Sequence, residues 1–391
     1  MFQERPVNKD TLPLVLFSTQ AWSDLWVSKH WIAHEFARER AVLFVEPPAR
    51  ADVMGDKFSA FASTARQIEP NLWALRLVSA PFPYRVPSHA RLLWRWPMHR
   101  QLRRAVAELG FEEFDVLTFD PHCQPLLMPL KERIRNLMYY AVDPPLGSED
   151  SVWPERRLVR DSDAALAVTQ RLADLLATES GRSDIQVVPH GIASAAAQPT
   201  NEESALPEAF SSVDWDRPVI GYTGAIHDVY VDFALIRDTA RAHPDWQFVM
   251  IGPYSGSDLS KKGVDIRYFD DCPNVIFCGA VPFAELSHAI QCFDVCIVPY
   301  RADIANNWER RSPFKILHYF VQGKPVVMAN VPALDDYPAG SIYSYESQAG
   351  FVSAITDALA ECCKSGLSQQ RKAIADERSF DKLFAQIAAH L

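Results

Sequence analysis

The feature that most constrains the fold is the alternation of short apolar runs with amphipathic segments along most of the chain. The short runs have the length of buried strands, and the segments between them repeat apolar residues every three or four positions, as helices do. Strands that alternate with helices are typical of a parallel sheet covered by crossover helices. The sequence therefore predicts an α/β fold.

The two halves of the chain repeat this pattern. In the first half the predicted strands are Leu14–Phe17, Val42–Val45, Val116–Phe119, Leu137–Ala141, Ala165–Val168 and Gln186–Val188. The predicted helices there lie near Lys29–Arg40, Met98–Leu109, Trp153–Arg160 and Arg171–Thr178. In the second half the predicted strands are Val219–Tyr222, Gln247–Ile251, Val275–Cys278, Val295–Val298 and Pro325–Met328. The predicted helices there are Phe233–Ala242, Phe283–Gln291, Pro313–Gln322, Gln348–Cys362 and a final helix around Phe380–Leu391.

A segment without apolar periodicity, Ala193–Asp216, separates the halves and is rich in Ala, Ser, Pro and acidic residues, which indicates a linker. A length of 391 residues also favours two domains at about 150 residues each. We therefore expect a domain over 1–200, a linker over 201–216 and a second domain over 217–375. The C-terminal helix, 376–391, is expected to pack back on the first domain. Two doubly wound domains would face each other across a cleft, and ligands of such sheets bind at the carboxyl ends of the strands.

Composition and missing motifs exclude several function classes. The 39 basic and 49 acidic residues give a net charge of −10, which argues against nucleic-acid binding, since that requires a basic surface. The chain has no P-loop, no G-x-G-x-x-G after a strand, no G-x-S-x-G and no H-E-x-x-H. Its seven cysteines include no C-x2-C pair, so neither a metal site nor a disulfide framework is favoured and a reducing compartment is expected. Cys292 and Cys296 are expected in one buried strand.

Two features bear on membranes. No apolar run is long enough to cross a bilayer, and the N-terminus lacks the basic start and long apolar core of a secretory signal. The stretch from Pro70 to Ala107, however, holds seven arginines and no acidic residue. It interleaves these arginines with tryptophans, a combination suited to an anionic bilayer surface. The candidate docking residues are Arg91, Trp94, Arg95, Trp96, Arg100, Arg103 and Arg104. The alternative is a loop and helix whose arginines pair with acidic residues elsewhere.

The segment Val295–Val327 carries the strongest functional signal. A buried strand ends at Pro299-Tyr300, a polar loop follows, and a helix is predicted to start with Ser312 as N-cap and Pro313 in its first turn. Unpaired N–H groups at a helix start suit an anion. Lys315, with Arg310 and Arg311 just upstream, adds full positive charge. The segment therefore predicts a diphosphate site, against the alternative of a solvated basic helix start.

Other strand ends also carry candidate residues. Gly224 follows the strand Val219–Tyr222, where a glycine lets a ligand approach the backbone closely. Asp143 follows the strand that ends at Ala141, and a partly desolvated carboxylate there could accept a proton from a hydroxyl, although Asp before Pro is also common in turns. Asp120 and His122, after the strand Val116–Phe119, are weaker candidates on the acceptor side.

Several motifs resemble those of glycosyltransferases of the two-domain GT-B type. They are Val188–Ile192 (VPHGI), Val219–Asp228 (VIGYTGAIHD), Phe248–Pro253 (FVMIGP), Asn274–Leu286 (NVIFCGAVPFAEL), Cys296–Tyr300 (CIVPY) and Ser312–Val327 (SPFKILHYFVQGKPVV). The resemblance covers the second half well and the first half loosely. It is nearest to bacterial exopolysaccharide enzymes, notably the inverting glucuronosyltransferases of xanthan assembly.

The resemblance implies roles for individual residues. Asp143 matches the catalytic base, Tyr300 a donor-binding tyrosine, and Phe314 with Lys315 a Met-Lys pair that contacts the nucleoside diphosphate. His318 stands where such enzymes have Gln or, more widely, Glu on the ribose. Ala225 and Ala280 fall at donor-contacting positions. The paired glutamates of many retaining members would fall at positions 310 and 318, where this chain has Arg310 and His318, which favours inverting chemistry.

The resemblance thus implies a metal-independent glycosyltransferase without a cofactor. Its donor would be a nucleoside-diphosphate sugar, UDP first among the nucleotides, and its acceptor a saccharide that is lipid-linked in similar enzymes. A lipid-linked acceptor implies that the protein acts in the cytoplasm, on the inner face of the membrane. Two other functions stay open: a sugar-nucleotide epimerase of the same architecture, and a non-catalytic relative that binds nucleotide sugars.

Overall fold

Two α/β units make up the chain. A computed structural model describes residues 11–23, 26–50, 64–79, 91–142, 152–192, 208–226, 230–254, 265–301, 312–361 and 365–391. One unit comprises Met1–Pro189 with Leu383–Leu391, and the other His190–Lys382.

The first unit is built on an eight-stranded sheet of order β3-β4-β2-β1-β5-β6-β7-β8. Its strands are β1 (Leu14–Phe17), β2 (Val42–Arg50), β3 (Arg66–Glu69), β4 (Leu72–Ser79), β5 (Phe114–Thr118), β6 (Ile134–Ala141), β7 (Ala164–Ala167) and β8 (Gln186–Val187). Its helices are α1 (Ser28–Ala37), α2 (Arg91–Glu108), α3 (Gln124–Leu127), α4 (Val152–Asp161) and α5 (Gln170–Ser180). Neighbouring strands are parallel except β3 and β4, which are antiparallel. The central strands β1 and β5 are buried along their whole length, as is typical of a parallel sheet with helices on both faces.

The second unit has a six-stranded parallel sheet of order β11-β10-β9-β12-β13-β14. Its strands are β9 (Val219–Thr223), β10 (Gln247–Ile251), β11 (Val275–Gly279), β12 (Val295–Val298), β13 (Val326–Ala329) and β14 (Tyr343–Tyr345). Its helices are α6 (Phe233–Ala242), α7 (Phe283–Gln291), α8 (Lys315–Val321), α9 (Gln348–Glu361) and α10 (Ser365–Glu377). A last helix, α11 (Phe380–Ala388), leads into the first unit, where the Phe384 ring lies 4.6 Å from that of Phe36.

The α/β class and the alternation are confirmed, and the helices Phe233–Ala242 and Phe283–Gln291 have their predicted bounds. Five of these elements were not predicted: β3, β4, α3, β14 and α10. The expectation that Cys292 shares a strand with Cys296 is wrong. Cys296 is fully buried in β12, but Cys292 is the C-cap of helix α7 and is only partly buried, because α7 runs to Gln291 and β12 starts only at Val295.

A buried ion pair joins α9 to α10 in the second unit. The Arg371 guanidinium donates to the Glu361 carboxylate over 2.6 and 2.8 Å, and both side chains are buried. Arg371 also donates to the carbonyl of Ser341, and the Tyr343 hydroxyl donates to Glu361. All four groups therefore satisfy one another where water does not reach.

Helix α2 contains Trp94, Trp96 and five of the seven arginines of the basic stretch. Gln101, on its buried face, donates to and accepts from the backbone of Val78, which fixes the helix on β4. Helix α2 starts at Arg91, earlier than predicted, and includes Pro97. None of the helices in the described part of the chain combines the length and apolar character required to span a bilayer.

Candidate active site

The site in the second unit lies where the strand order reverses. In its sheet β9 has β10 on one side and β12 on the other, so the chain crosses to opposite sides from β9. Ligands of doubly wound sheets bind at such a switch point, outside the carboxyl ends of the strands. Gly224 directly follows β9 and Tyr300 lies just after β12, so two of the predicted donor-binding residues are at this position.

Three glycines line the carboxyl edge of the sheet. Gly224, Gly252 and Gly279 follow or end adjacent strands and all have positive φ. The Gly224 amide donates to the carbonyl of Ile251 over 2.9 Å, and the Gly252 amide to that of Gly279 over 2.7 Å. A Cβ on Gly252 would lie 2.0 Å from the Gly224 carbonyl oxygen, so only glycine fits there. Sequence reasoning singled out Gly224 but missed the other two, although each follows a predicted strand.

Two exposed alanines follow these glycines. Ala225 and Ala280 come directly after Gly224 and Gly279, and both are exposed. The resemblance predicts that they contact the donor, and their small side chains leave the backbone at these strand ends accessible.

Lys315 lies against the first of these glycines. Its Nζ is 3.8 Å from the centroid of the Tyr222 ring and 4.9 Å from that of Tyr300. A Cβ on Gly224 would stand 2.6 Å from this Nζ. Burial lowers the pKa of Lys315 well below its usual value, because the charged amine loses water here. The fold thus brings together Gly224, Tyr300 and Lys315 from three separate sequence motifs.

Phenolic hydroxyls fix the rings around Lys315. The Tyr222 hydroxyl donates to the Ala225 carbonyl over 2.9 Å, and the Tyr319 hydroxyl accepts from the Thr223 amide, also over 2.9 Å. Burial raises the pKa of Tyr222 and of Tyr319 well above the usual value. These two tyrosines were not predicted as site residues, because each lies inside an element where an aromatic residue indicates core.

The predicted start of the helix is wrong. Helix α8 begins at Lys315 with Phe314 as N-cap, and it has seven residues. The Ser312 hydroxyl hydrogen-bonds Tyr337 and so does not cap a helix, while the amide of Ile316 donates to the Pro313 carbonyl in a tight preceding turn. Positive charge at this site therefore comes from the Lys315 amine rather than from a capped helix end.

His318 and Phe314 form an aromatic group beside Lys315. Their ring centroids are 4.8 Å apart and perpendicular, and His190, from the Val188–Ile192 motif, lies 5.7 Å from Phe314 on another side. All three side chains are at least partly buried. Burial lowers the pKa of His318 to about 4, so its imidazole is neutral near pH 7 and can either donate or accept a hydrogen bond.

In the first unit the sheet order reverses between β1 and β5, and Asp120 follows β5. Its Oδ1 accepts from the His122 amide over 2.9 Å, and its own amide donates to the Thr118 hydroxyl over 3.0 Å. Burial raises the pKa of the partly buried Asp120 carboxyl, whereas the His122 side chain is exposed. Both predicted acceptor-side residues thus lie at the switch point of this sheet.

Other predicted site residues fall outside the described part of the chain. They are Asp143, Arg310 and Arg311, together with the side chains of Arg91, Trp94 and Arg95. Their roles stay predictions.

The described part of the basic stretch has two kinds of arginine. Arg76 lies 2.7 Å from the buried Glu46 carboxylate, and Arg104 lies 2.6 Å from Glu108. Trp96 is 60% exposed, and the Arg100 guanidinium lies 5.7 Å from its ring. Arg103 is also exposed. Some arginines of this stretch therefore pair with acidic residues, as the alternative predicts, and others lie beside an exposed tryptophan. Contact with a membrane stays a prediction.

Comparison with known proteins gives the second unit a family. Residues 217–361 match the family described as glycosyl transferases group 1. The Bacillus subtilis (strain 168) protein TuaH, to which a glycosyltransferase role in teichuronic acid biosynthesis is provisionally given, is 28% identical over 172 residues. That alignment covers 43% of this chain and 42% of TuaH, so the match spans less than half of the relative's length.

Solved structures resemble the whole chain. Sucrose-phosphate synthase from Thermosynechococcus elongatus superposes with a TM-score of 0.69 at 14% identity, covering 97% of this chain and 98% of that one. The Anabaena protein HepE, solved in complex with UDP-glucose, gives a TM-score of 0.67 at 14% identity with the same coverage. At such identities the likeness is one of fold. The chain has the GT-B fold of two Rossmann-like domains, and residues 217–361 of its second unit match the glycosyl transferases group 1 family.

Proposed function

We propose that the protein is an inverting glycosyltransferase that moves a sugar from a UDP-sugar to a hydroxyl of a saccharide acceptor in polysaccharide biosynthesis. The observation that carries this proposal is Lys315, held against Gly224 at the switch point with its amine between two tyrosine rings. A buried cation beside accessible backbone suits the diphosphate of a nucleotide sugar. The bound UDP and UDP-glucose of the HepE structures support UDP as the nucleotide.

The neighbouring residues have positions that suit the rest of the donor. His318, neutral and perpendicular to Phe314, offers a hydrogen bond without a charge to a ribose hydroxyl, in place of the carboxylate of many similar enzymes. Ala225 and Ala280 leave room beside the sugar and phosphates. Arg310 and Arg311 are proposed to add charge to the diphosphate. The sugar is proposed to be a hexose or a glycuronic acid, the latter following from the resemblance to xanthan enzymes.

The proposed reaction is a single displacement. The Asp143 carboxylate takes the proton of the acceptor hydroxyl while its oxygen bonds to the anomeric carbon, and the bond from that carbon to the diphosphate oxygen breaks with its electron pair on UDP. Lys315 stabilises the negative charge that develops on the leaving UDP. These steps require no metal or cofactor.

Replacing Asp143 with asparagine tests the base. We expect transfer to fall by about 100- to 10,000-fold, because the proton acceptor is lost while the shape of the side chain is kept. UDP affinity, measured by calorimetry, should stay unchanged, and Asp174→Asn on the exposed surface of α5 should leave both quantities unchanged. An active Asp143→Asn enzyme would contradict the assignment, and hydrolysis or epimerisation of the UDP-sugar without any acceptor would favour the alternative functions.

We also propose that α2 contacts an anionic membrane surface that carries a lipid-linked acceptor on the cytoplasmic side. The exposed Trp96 with Arg100 and Arg103 on the same helix supports this contact. Replacing both arginines with glutamate should abolish flotation with phosphatidylserine vesicles. Arg267→Glu, at an exposed position of the second unit, is the matched control. Equal flotation with neutral and anionic vesicles would contradict the proposal.

A further inference from the structure

We propose that UDP binding places a proton on Lys315, because the fold holds this amine between aromatic rings and leaves the diphosphate to act as its counter-ion. The inference rests on the proposed donor site. It concerns how affinity responds to pH.

The surroundings of Lys315 contain no negative partner within the described residues. Tyr222 from β9 lies 3.8 Å from Nζ, and Tyr300, after β12, lies 4.9 Å from it. The backbone of Gly224 closes another side. Attraction between a cation and an aromatic ring offsets only part of the hydration that a charged amine loses on burial.

The titratable groups near Lys315 are uncharged in the neutral range. Tyr222 and Tyr300 lie beside the amine, Tyr319 interacts with both of them, and burial raises the pKa of Tyr222 and of Tyr319. His318, on the same helix as Lys315, is neutral because burial lowers its pKa to about 4. None of these groups supplies a charge that would stabilise an ammonium ion.

Binding of UDP reverses the preference of Lys315 for its neutral form. In the empty site, burial lowers the pKa of Lys315, so the amine loses its proton at a lower pH than an ordinary lysine. A diphosphate beside the amine favours the charged form and raises its pKa again. Between the lowered and the raised pKa, binding therefore takes up a proton, and affinity falls as the pH rises, by about tenfold per pH unit.

Calorimetry in buffers of different ionisation enthalpy measures this proton directly. UDP is titrated into the full chain in Tris and in HEPES at a series of pH values, and between the lowered and the raised pKa of Lys315 we expect uptake of up to one proton per UDP. Uridine, which has no phosphate, should bind without uptake. Equal enthalpies for UDP in both buffers would overturn the proton linkage and leave the donor site standing, whereas absence of UDP binding would overturn both.

A second measurement uses the pH profile and two variants. The dissociation constant of UDP should rise with pH in the wild-type protein and in Tyr300→Phe, which keeps the ring. In Lys315→Arg the guanidinium stays charged, so the buffer dependence of the enthalpy should vanish. A wild-type dissociation constant that stays level with pH would overturn the inference even if the arginine variant fails to fold.

Discussion

Replacing Lys315 with methionine is expected to weaken UDP binding by about 100-fold and, at the same time, to stabilise the empty protein. The loss of affinity follows because a hydrogen bond to a charged group contributes about 1.5–3 kcal/mol. The gain in stability follows because burial lowers the pKa of Lys315 in the folded protein. At pH values below the pKa of an ordinary lysine, the unfolded chain binds the lysine proton more tightly than the folded chain, and this difference favours unfolding. Methionine has a similar length and no charge to desolvate.

Calorimetry with UDP and urea unfolding without ligand measure the two effects. We expect the free energy of unfolding near pH 7 to rise by about 1 kcal/mol. Lys131→Met, at an exposed position of the first unit, should change neither quantity. Unchanged UDP affinity in Lys315→Met would contradict the proposed donor site, and a less stable variant would contradict the account of the buried amine.

Replacing Arg371 with methionine should have the largest effect on folding. It leaves the buried Glu361 carboxylate without its two guanidinium hydrogen bonds, and breaking a buried pair costs about 3–5 kcal/mol. Urea unfolding of the second unit measures this loss. Arg104→Met removes an exposed pair with Glu108 on α2 and should change the free energy of unfolding by less than about 1 kcal/mol.

A double replacement separates the two causes of this loss. Replacing Glu361 and Arg371 together with methionine removes both charges from the interior and should recover part of the stability, since an apolar pair can substitute for a buried ion pair. If the double variant is as unstable as Arg371→Met, packing of α10 rather than the unpaired carboxylate causes the loss.

Helix bounds were predicted correctly where the residues that end the helix can be recognised in the sequence. Helix α6 begins after Asp232, whose carboxylate accepts from the Leu235 amide over 2.9 Å, and such an N-cap can be recognised in a sequence. The prediction for α8 was wrong because Ser312 has the residue type of an N-cap but bonds Tyr337. That partner is distant in sequence.

The β3–β4 hairpin shows what a sequence pattern misses. Asn71, with φ of 64°, forms its turn, and Arg76 of β4 pairs with Glu46 of β2. The sequence alone does not show that Glu46 is the partner of Arg76, so Arg76 was counted in a basic stretch without acidic residues. No strand was predicted over Leu72–Ser79, although its apolar residues are buried.

Some residues of the candidate site were predicted from the sequence and others were not. Gly224 and Lys315 were predicted from their places after a strand and at a helix start, and Tyr300 from the resemblance to GT-B enzymes. Tyr222 and Tyr319 were not predicted, because each lies inside an element where an aromatic residue indicates core, and only the folded chain shows that the Tyr222 ring lies 3.8 Å from the Lys315 amine.

The glycine edge of the second unit has a consequence for enzyme engineering. Gly224 and Gly252 cannot accept a side chain without displacing the backbone or Lys315, so saturation libraries aimed at new donor sugars would lose folded members at these codons. Ala225 and Ala280 are exposed on the same rim. In the proposed donor site, retargeting should therefore begin with these two alanines, because a larger side chain at an exposed position displaces no part of the fold.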